Sequence, residues 1–201
     1  MPGIKELKTR IKSIGSTRKI TLAMQMVSAA KMRKAQSAVV QSRNYASMAW
    51  ELIENVAKQG VFEHPLVKVY PKANKIGAIL LTSNKGLVGS LNINLMSKLK
   101  EISSLPINGQ TTKTEIIAEL ITYGKKAKTI AARMNKTILA DFSKQDGTIT
   151  TGDIYPIAKF VSDTYKTGGY KKIVVVYNHF VSTIQQKPST RQLLPFSSIY
   201  G

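Results

Sequence analysis

The sequence contains no cysteine and only two histidines, His64 and His179, so disulfide frameworks, thiolate chemistry and histidine-rich metal sites have no raw material. Acid is scarce as well: 11 Asp and Glu stand against 30 Lys and Arg, a formal charge of +19. That excess implies an anionic partner, whether nucleic acid, an anionic membrane surface or acidic protein, without choosing among them. No run approaches ~18 consecutive apolar residues, so no membrane-spanning helix is expected, and the amino terminus has no apolar signal core. Its basic start resembles a mitochondrial targeting peptide, but the apolar stripe continues far past any usual cleavage point, and we read the chain as cytoplasmic and unprocessed. Proline is missing between Pro2 and Pro65, and Gly15 is the one glycine between Gly3 and Gly60. At 201 residues, 43% apolar and 7% aromatic, the chain has room for one packed domain plus an extension.

What fills the proline-free stretch is helical periodicity. Apolar residues recur at Ile4, Leu7, Ile11 and Ile14, at Ile20, Met24, Val27 and Ala30, and at Ala35, Ala38, Tyr45, Ala49, Ile53 and Val56, spaced by threes and fours. A helix of this length would run about 85 Å at 1.5 Å per residue, beyond any domain the remaining chain could build. It is expected to project and to need a partner along its seam. Ten cations up to Arg43 face Glu6 alone, and like charges at helical spacing repel. A solvated basic face on a core helix would also give such a run; the length favours acidic surroundings.

Beyond Gly60, His64-Pro65 and Tyr70-Pro71 mark a connector to Asn74. We place a stalk helix over 1–58, the connector over 59–74 and an α/β domain over 75–201. Ile76 to Leu81 is a nearly continuous apolar run, expected of a strand covered on both faces. A glycine-bearing turn and a helix through Leu91, Leu95, Met96 and Leu99 follow. The pattern repeats after a polar loop, Pro106 to Lys113, with a strand from Ile116 to Tyr123, a turn at Gly124 and a basic helix from Lys125 to Met134. Asp153 is expected to cap a helix through Tyr165, with Pro156 in its first turn and Gly168-Gly169 closing it. Lys172 to Tyr177 reads as a strand, and the residues after Asn178 as an extended edge segment ending at Pro188. Alternating strands and helices predict a Rossmann-like α/β domain with a mainly parallel sheet.

The turn Ser83-Asn84-Lys85-Gly86-Leu87-Val88-Gly89-Ser90 stands where open α/β sheets hold phosphates. It lacks both the GxGxxG and the GxxxxGK[ST] spacing, and Lys85 precedes the glycines. Ser83, Asn84, Lys85, Gly86 and Gly89 are therefore read as a structural turn whose glycines let the chain reverse tightly and the helix pack on the sheet. Asp141, Asp146, Asp153 and Asp163 show no paired or metal-ligand spacing, and neither Ser83 nor Ser90 has a histidine placed by sequence as a base. His179 follows a strand and reads as a structural residue. No catalytic, metal or cofactor-binding residues are expected.

The segment Ile20 to Gln36, ITLAMQMVSAAKMRKAQ, with Arg10-Ile11-Lys12-Ser13-Ile14 before it, closely resembles the amino-terminal helix of the gamma subunit of F-type ATP synthases. Thr82 to Asn92 is similar to that family's first strand-turn-helix signature, and Tyr177 to Ser182, running on to Gln192-Leu193-Leu194-Pro195, to its late strand signature. Leu22 stands where the family usually has lysine, Asn84 and Lys85 where it has aspartate and arginine, and Val88 where cysteine is common. An amide at Asn84 forbids an ion pair there, so the turn must hold by neutral hydrogen bonds. The family's long carboxy-terminal helix, antiparallel to the first, has no counterpart before Gly201, and we expect the gene product to continue past it or a separate chain to supply that helix.

The resemblance implies a non-catalytic central-stalk rotor subunit, half of an antiparallel coiled coil joined to the α/β domain. Its implied partners are the alpha and beta subunits, the epsilon subunit and the c-ring that proton flow drives. Membrane association, at the cytoplasmic face of a bacterial plasma membrane, would come only through the complex. Lys19, Met24, Lys31, Arg33 and Lys34 are expected to face the ring of alpha and beta subunits, and Ile20, Val27, Ala35, Ala38 and Ala49 to line the seam. The alternative is a basic nucleic-acid-binding protein, for which the charge suffices but an aromatic-basic pattern is missing.

Overall fold

A computed structural model describes residues 3–58, 64–103, 117–144, 147 and 149–196. Gly60 and the first residues of the expected connector, the Pro106–Lys113 loop, Ile116 and Asp146 lie outside the described residues. The chain divides into two compact units, Met1–Trp50 and Glu51–Gly201.

The proline-free stretch forms one helix, α1, Ile4–Lys58, 55 residues long. Gly3 starts it by accepting from the amides of Glu6 and Leu7 at 2.9 and 3.2 Å. The helix passes through Gly15 without a break.

In the second unit the elements run β1 (Lys75–Leu81), α2 (Leu91–Ser103), β2 (Ile117–Tyr123), α3 (Lys125–Arg133), β3 (Ile138–Phe142), α4 (Thr151–Lys166), β4 (Tyr170–Phe180) and β5 (Gln186–Leu194). They build a five-stranded sheet in the order β3-β2-β1-β4-β5. The first four strands are parallel and β5 pairs antiparallel with β4. One face packs Ile76, Ala78 and Leu80 against Leu95 and Leu99 of α2 and Ile130 of α3; the other packs Ile79 and Ile121 against Ile157, Val161 and Tyr165 of α4. Cover on both faces explains why Ile76 to Leu80 is buried without alternation.

The connector is tied to this second face. Tyr165 donates its hydroxyl to the Lys68 carbonyl at 2.8 Å, Tyr70 stacks edge-on against Tyr165, and Phe196 N–H donates to the Leu66 carbonyl at 3.0 Å.

Four sequence expectations change. The cap of α4 is Thr150, not Asp153: the Thr150 amide and hydroxyl both donate to Asp153 Oδ2 at 2.7 Å, which places Asp153 in the third helical position of a capping box. Pro156 consequently falls in the second turn, where its missing N–H leaves the Gly152 carbonyl without an intrahelical donor; both residues are exposed, so water can satisfy it. The edge segment does not end at Pro188. That proline lies inside β5 opposite Asn178, and the strand runs on to Leu194, since an edge strand has one side free of ladder bonds where a missing donor costs nothing. Finally, β3 was not expected at all; it forms the other sheet edge and is half exposed.

Candidate functional site

The first candidate is the turn leaving β1, at the carboxyl end of the sheet. Its polar groups are turned inward on one another. Asn92 Nδ2 donates to Ser83 Oγ at 2.8 Å, Ser83 Oγ donates to the Lys85 carbonyl at 2.8 Å, and Ser83 N–H reaches Asn92 Oδ1 at 3.4 Å. Asn84 bridges to neighbouring segments, donating through Nδ2 to the Lys144 carbonyl at 2.7 Å and accepting from the Lys125 amide at 3.3 Å. These are the neutral bonds that an amide at this position requires. The Ser83 hydroxyl is committed to backbone and amide partners, and His64 is occupied by the Leu66 amide at 3.3 Å.

The glycines of this turn play unequal parts. Gly89 has φ +59°, as the reading of a tight turn requires, whereas a Cβ on Gly86 would meet nothing within 4 Å. Leu87, not a glycine, holds the other left-handed position, at φ 60°, and is 97% exposed. The close approach falls at the next turn, where Gly124 at φ +103° leaves no space for a side chain beside Thr82. Thr82 closes this contact by donating its hydroxyl to the Gly124 carbonyl at 3.2 Å, while its amide donates to the Tyr123 carbonyl at 2.9 Å.

The second candidate is the surface of α1. Lys19, Ile20, Met24, Val27, Lys31, Arg33, Lys34, Ala35 and Ala38 are all exposed, and Ala49 is half-buried. Ile20 keeps 62% and Val27 56% of their surface in water. Helical spacing puts part of the first set on the row of the second. Met24 follows Ile20 by four residues, Lys31 follows Val27 by four, and Lys34 precedes Ala38 by four, so all three share the row with the seam residues; Lys19 and Arg33 depart from it.

Two charged clusters went unread in the sequence. Glu119, buried on β2, accepts from Lys75 Nζ at 2.9 Å and from the Tyr170 hydroxyl in a very short bond. Burial opposes its ionisation, but the hydrogen bonds from Tyr170 and Lys75 and the lysine's charge hold it below the usual carboxylate range. At the β3 edge, Asp141 accepts from Lys128 Nζ at 2.8 Å and from Thr122 Oγ1 at 2.6 Å, and these two bonds lower its pKa. Strand adjacency, invisible in a linear reading, brings Glu119 to Lys75 and Tyr170 and Asp141 to Thr122, while Lys128 reaches Asp141 from α3. Among the described residues no three His, Cys, Asp or Glu side chains lie close enough to hold a metal ion, and no helix is long and apolar enough to cross a membrane.

A family model described as ATP synthase matches residues 3–200. The ATP synthase gamma chain of Legionella pneumophila strain Paris is 34% identical over 197 residues, covering 97% of this chain and 66% of the relative. That of Xylella fastidiosa strain M23 is 35% identical over 193 residues, covering 95% and 65%. The chain thus spans about two thirds of the length of these relatives, 66% and 65%. Among solved structures, the central stalk and c-ring of the Tetrahymena thermophila mitochondrial ATP synthase superposes with a TM-score of 0.60 at 24% identity, over 88% of this chain and 72% of that one. The rotor of the Euglena gracilis enzyme gives 0.63 at 17% identity, over 96% and 64%. The fold of these two, a long helix with a mixed sheet, is shared, and the match of family model and relatives along nearly the whole chain means that it belongs to the ATP synthase gamma chain family.

Proposed function

We propose that the chain is a non-catalytic rotor subunit of the central stalk of a proton-translocating ATP synthase, carrying rotation from a c-ring to the nucleotide sites of the beta subunits. The observation that carries this reading is the surface of α1, a 55-residue helix whose large apolar side chains, Ile20, Met24 and Val27 among them, stand in water beside an almost wholly cationic flank. Covering each such side chain stabilises by about 1.5–3 kcal/mol, and helices in proteins take most of their stability from packing. A second long helix would cover the row of Ile20, Val27, Ala35, Ala38 and Ala49. Lys19 and Arg33 would face acidic loops of the alpha and beta ring, with Met24, Lys31 and Lys34 at the border between the two surfaces.

Coupling of this kind needs no active site in the shaft. A rotor that binds the conformations of three beta subunits unequally shifts their nucleotide equilibria by the difference in its own binding free energy, and rotation moves that bias from site to site. The α/β unit would meet the epsilon subunit and the c-ring at the cytoplasmic face of a bacterial plasma membrane. The test is reconstitution into vesicles with alpha, beta, epsilon and membrane-sector subunits. ATP-driven proton pumping should require the chain and should fall when Lys31, Arg33 and Lys34 are changed together to Glu. Pumping indifferent to the chain's omission, with tight binding to duplex DNA at physiological salt, would replace this reading by the nucleic-acid one.

A further inference from the structure

An unassigned feature lies at the end of the sheet opposite the Ser83–Ser90 turn. A groove of about 730 Å³ opens where β1 and β4 begin, lined by residues 68–75 on one side and Thr167 to Tyr170 on the other. This is the size range of small-ligand sites. Lys68, Lys72 and Lys75 reach into it from one wall, and no acidic residue lines it. Of the three, Lys75 is neutralised by Glu119, 2.9 Å away. Lys68 lies over the Tyr70 ring at 5.8 Å, and Lys72 has no hydrogen bond or ion pair among the described residues. Among the described residues the groove therefore carries two cations, Lys68 and Lys72, without an acidic partner.

The opposite wall is backbone. Gly168 has φ +77°, and a Cβ there would lie 3.2 Å from the Tyr70 ring, so the aromatic side chain fills the place that a larger residue would take. Tyr70 is itself fixed by Tyr165, whose hydroxyl is bound to the Lys68 carbonyl. The walls are thus held by the fold. Lys166, Lys171 and Lys172 flank this edge within seven residues of sequence, with Asp163 facing Lys166 at 3.7 Å. Burial, and then the charge of Lys171, holds Lys172 below the usual lysine range.

We propose that this groove binds a phosphate ester, its anionic group between Lys68 and Lys72 and its organic part along Tyr70 and Pro71. An apolar ligand would leave two ammonium groups facing it; a phosphate monoester offers them three terminal oxygens and a phospholipid's phosphodiester two, so that each lysine can donate to an oxygen of its own. The ester has two possible sources, a soluble metabolite or the headgroup of an anionic phospholipid. The site is independent of the rotor reading, since none of its residues lies on α1.

The experiment uses the 201-residue chain labelled with ¹⁵N. Glycerol 3-phosphate, added at constant ionic strength, should move the Gly168 and Gly169 amides saturably, and cosedimentation with phosphatidylglycerol vesicles against phosphatidylcholine vesicles reads the lipid arm. Lys68→Gln with Lys72→Gln should weaken binding of the effective probe at least tenfold, whereas Lys8→Gln with Lys12→Gln, equal in charge but on α1, should not. A response to glycerol 3-phosphate identifies a soluble ester; a response to vesicles alone identifies the headgroup. If neither probe distinguishes the two double variants, the attraction is net charge alone and the proposal is wrong.

Discussion

A Cβ placed on Gly124 would lie 2.5 Å from the carbonyl oxygen of Thr82 and 2.9 Å from its hydroxyl oxygen, two atoms that belong to the neighbouring strand end. Backbone conformation and space therefore both demand glycine there, and in the turn after β1 neither demands it of Gly86. Replacing Gly124 by alanine should destabilise the α/β unit by about 2 kcal/mol or more, combining left-handed strain with a displaced strand end. Gly86→Ala should change stability by less than about 0.5 kcal/mol. Urea unfolding followed by circular dichroism compares them, and equal losses would show that the first turn carries a constraint that its geometry does not reveal.

At Gly15 the sign reverses. The residue lies inside α1, and a Cβ on it would meet nothing within 4 Å. Alanine should then stabilise the helix locally by about 1 kcal/mol, the ordinary difference in helix propensity. Slower amide exchange between Ser13 and Thr17 in Gly15→Ala is the expected result, and faster exchange or a lower melting temperature would count against it.

The Lys75–Glu119–Tyr170 cluster predicts a pH dependence at both ends of the scale. Glu119 is held below its unfolded value, so its contribution is present above about pH 4.5 and is lost as pH falls through the folded pKa. Tyr170 is raised by burial and then by its bond to Glu119, and Tyr165 is pushed up to about 12 by burial and then by Tyr70. Those contributions are present below pH ~10 and disappear as the pH climbs through the folded values. Tyr170→Phe removes a hydrogen bond to a charged group, which should cost about 1.5–3 kcal/mol at neutral pH. It should also move the acid unfolding transition to higher pH, because Glu119 loses one of the bonds that lower its pKa. An unchanged acid limb would mean that Lys75 alone holds the carboxylate.

How much of this was legible depends on where each residue is buried. β1 and β4 could be read because both faces are covered, leaving apolar runs with no polar interruption. β3, Ile138-Leu-Ala-Asp-Phe142, is an edge strand whose Asp141 serves an ion pair with Lys128, and five residues, none of them buried, carry too little pattern to stand out. β5 was cut short at Pro188 because a proline reads as a terminator wherever the free edge is unknown. The capping box at Thr150 and Asp153 offers two competent caps three residues apart, and sequence alone favoured the wrong one. Glu119 and its partners are 44 and 51 residues apart, so only the register of β1, β2 and β4 brings them together. On α1 the helix was plain from periodicity. Its division into ring-facing and seam residues was not, because Met24, Lys31 and Lys34 occupy the same row as Ile20, Val27 and Ala38.

That exposed row leads to the last prediction, which compares the two units within one molecule. The amides of Ile76 to Leu80 lie in the buried centre of the sheet, where exchange requires unfolding of the whole unit. Those of α1 between Ile20 and Tyr45 belong to a helix whose side chains are almost all exposed, so each turn can open without losing packed surface. In a demonstrated monomer of these 201 residues, α1 should exchange at least a hundredfold faster than β1, a difference of about 2.7 kcal/mol in opening free energy. Addition of an alpha-beta subcomplex should slow α1 and leave β1 unchanged, because only the helix gains a covering surface. Mass spectrometry of timed exchange reads both segments in the same sample. Protection of α1 equal to that of β1 without any partner would show that the helix draws its stability from within, and the uncovered row of Ile20, Met24 and Val27 would then need no second surface.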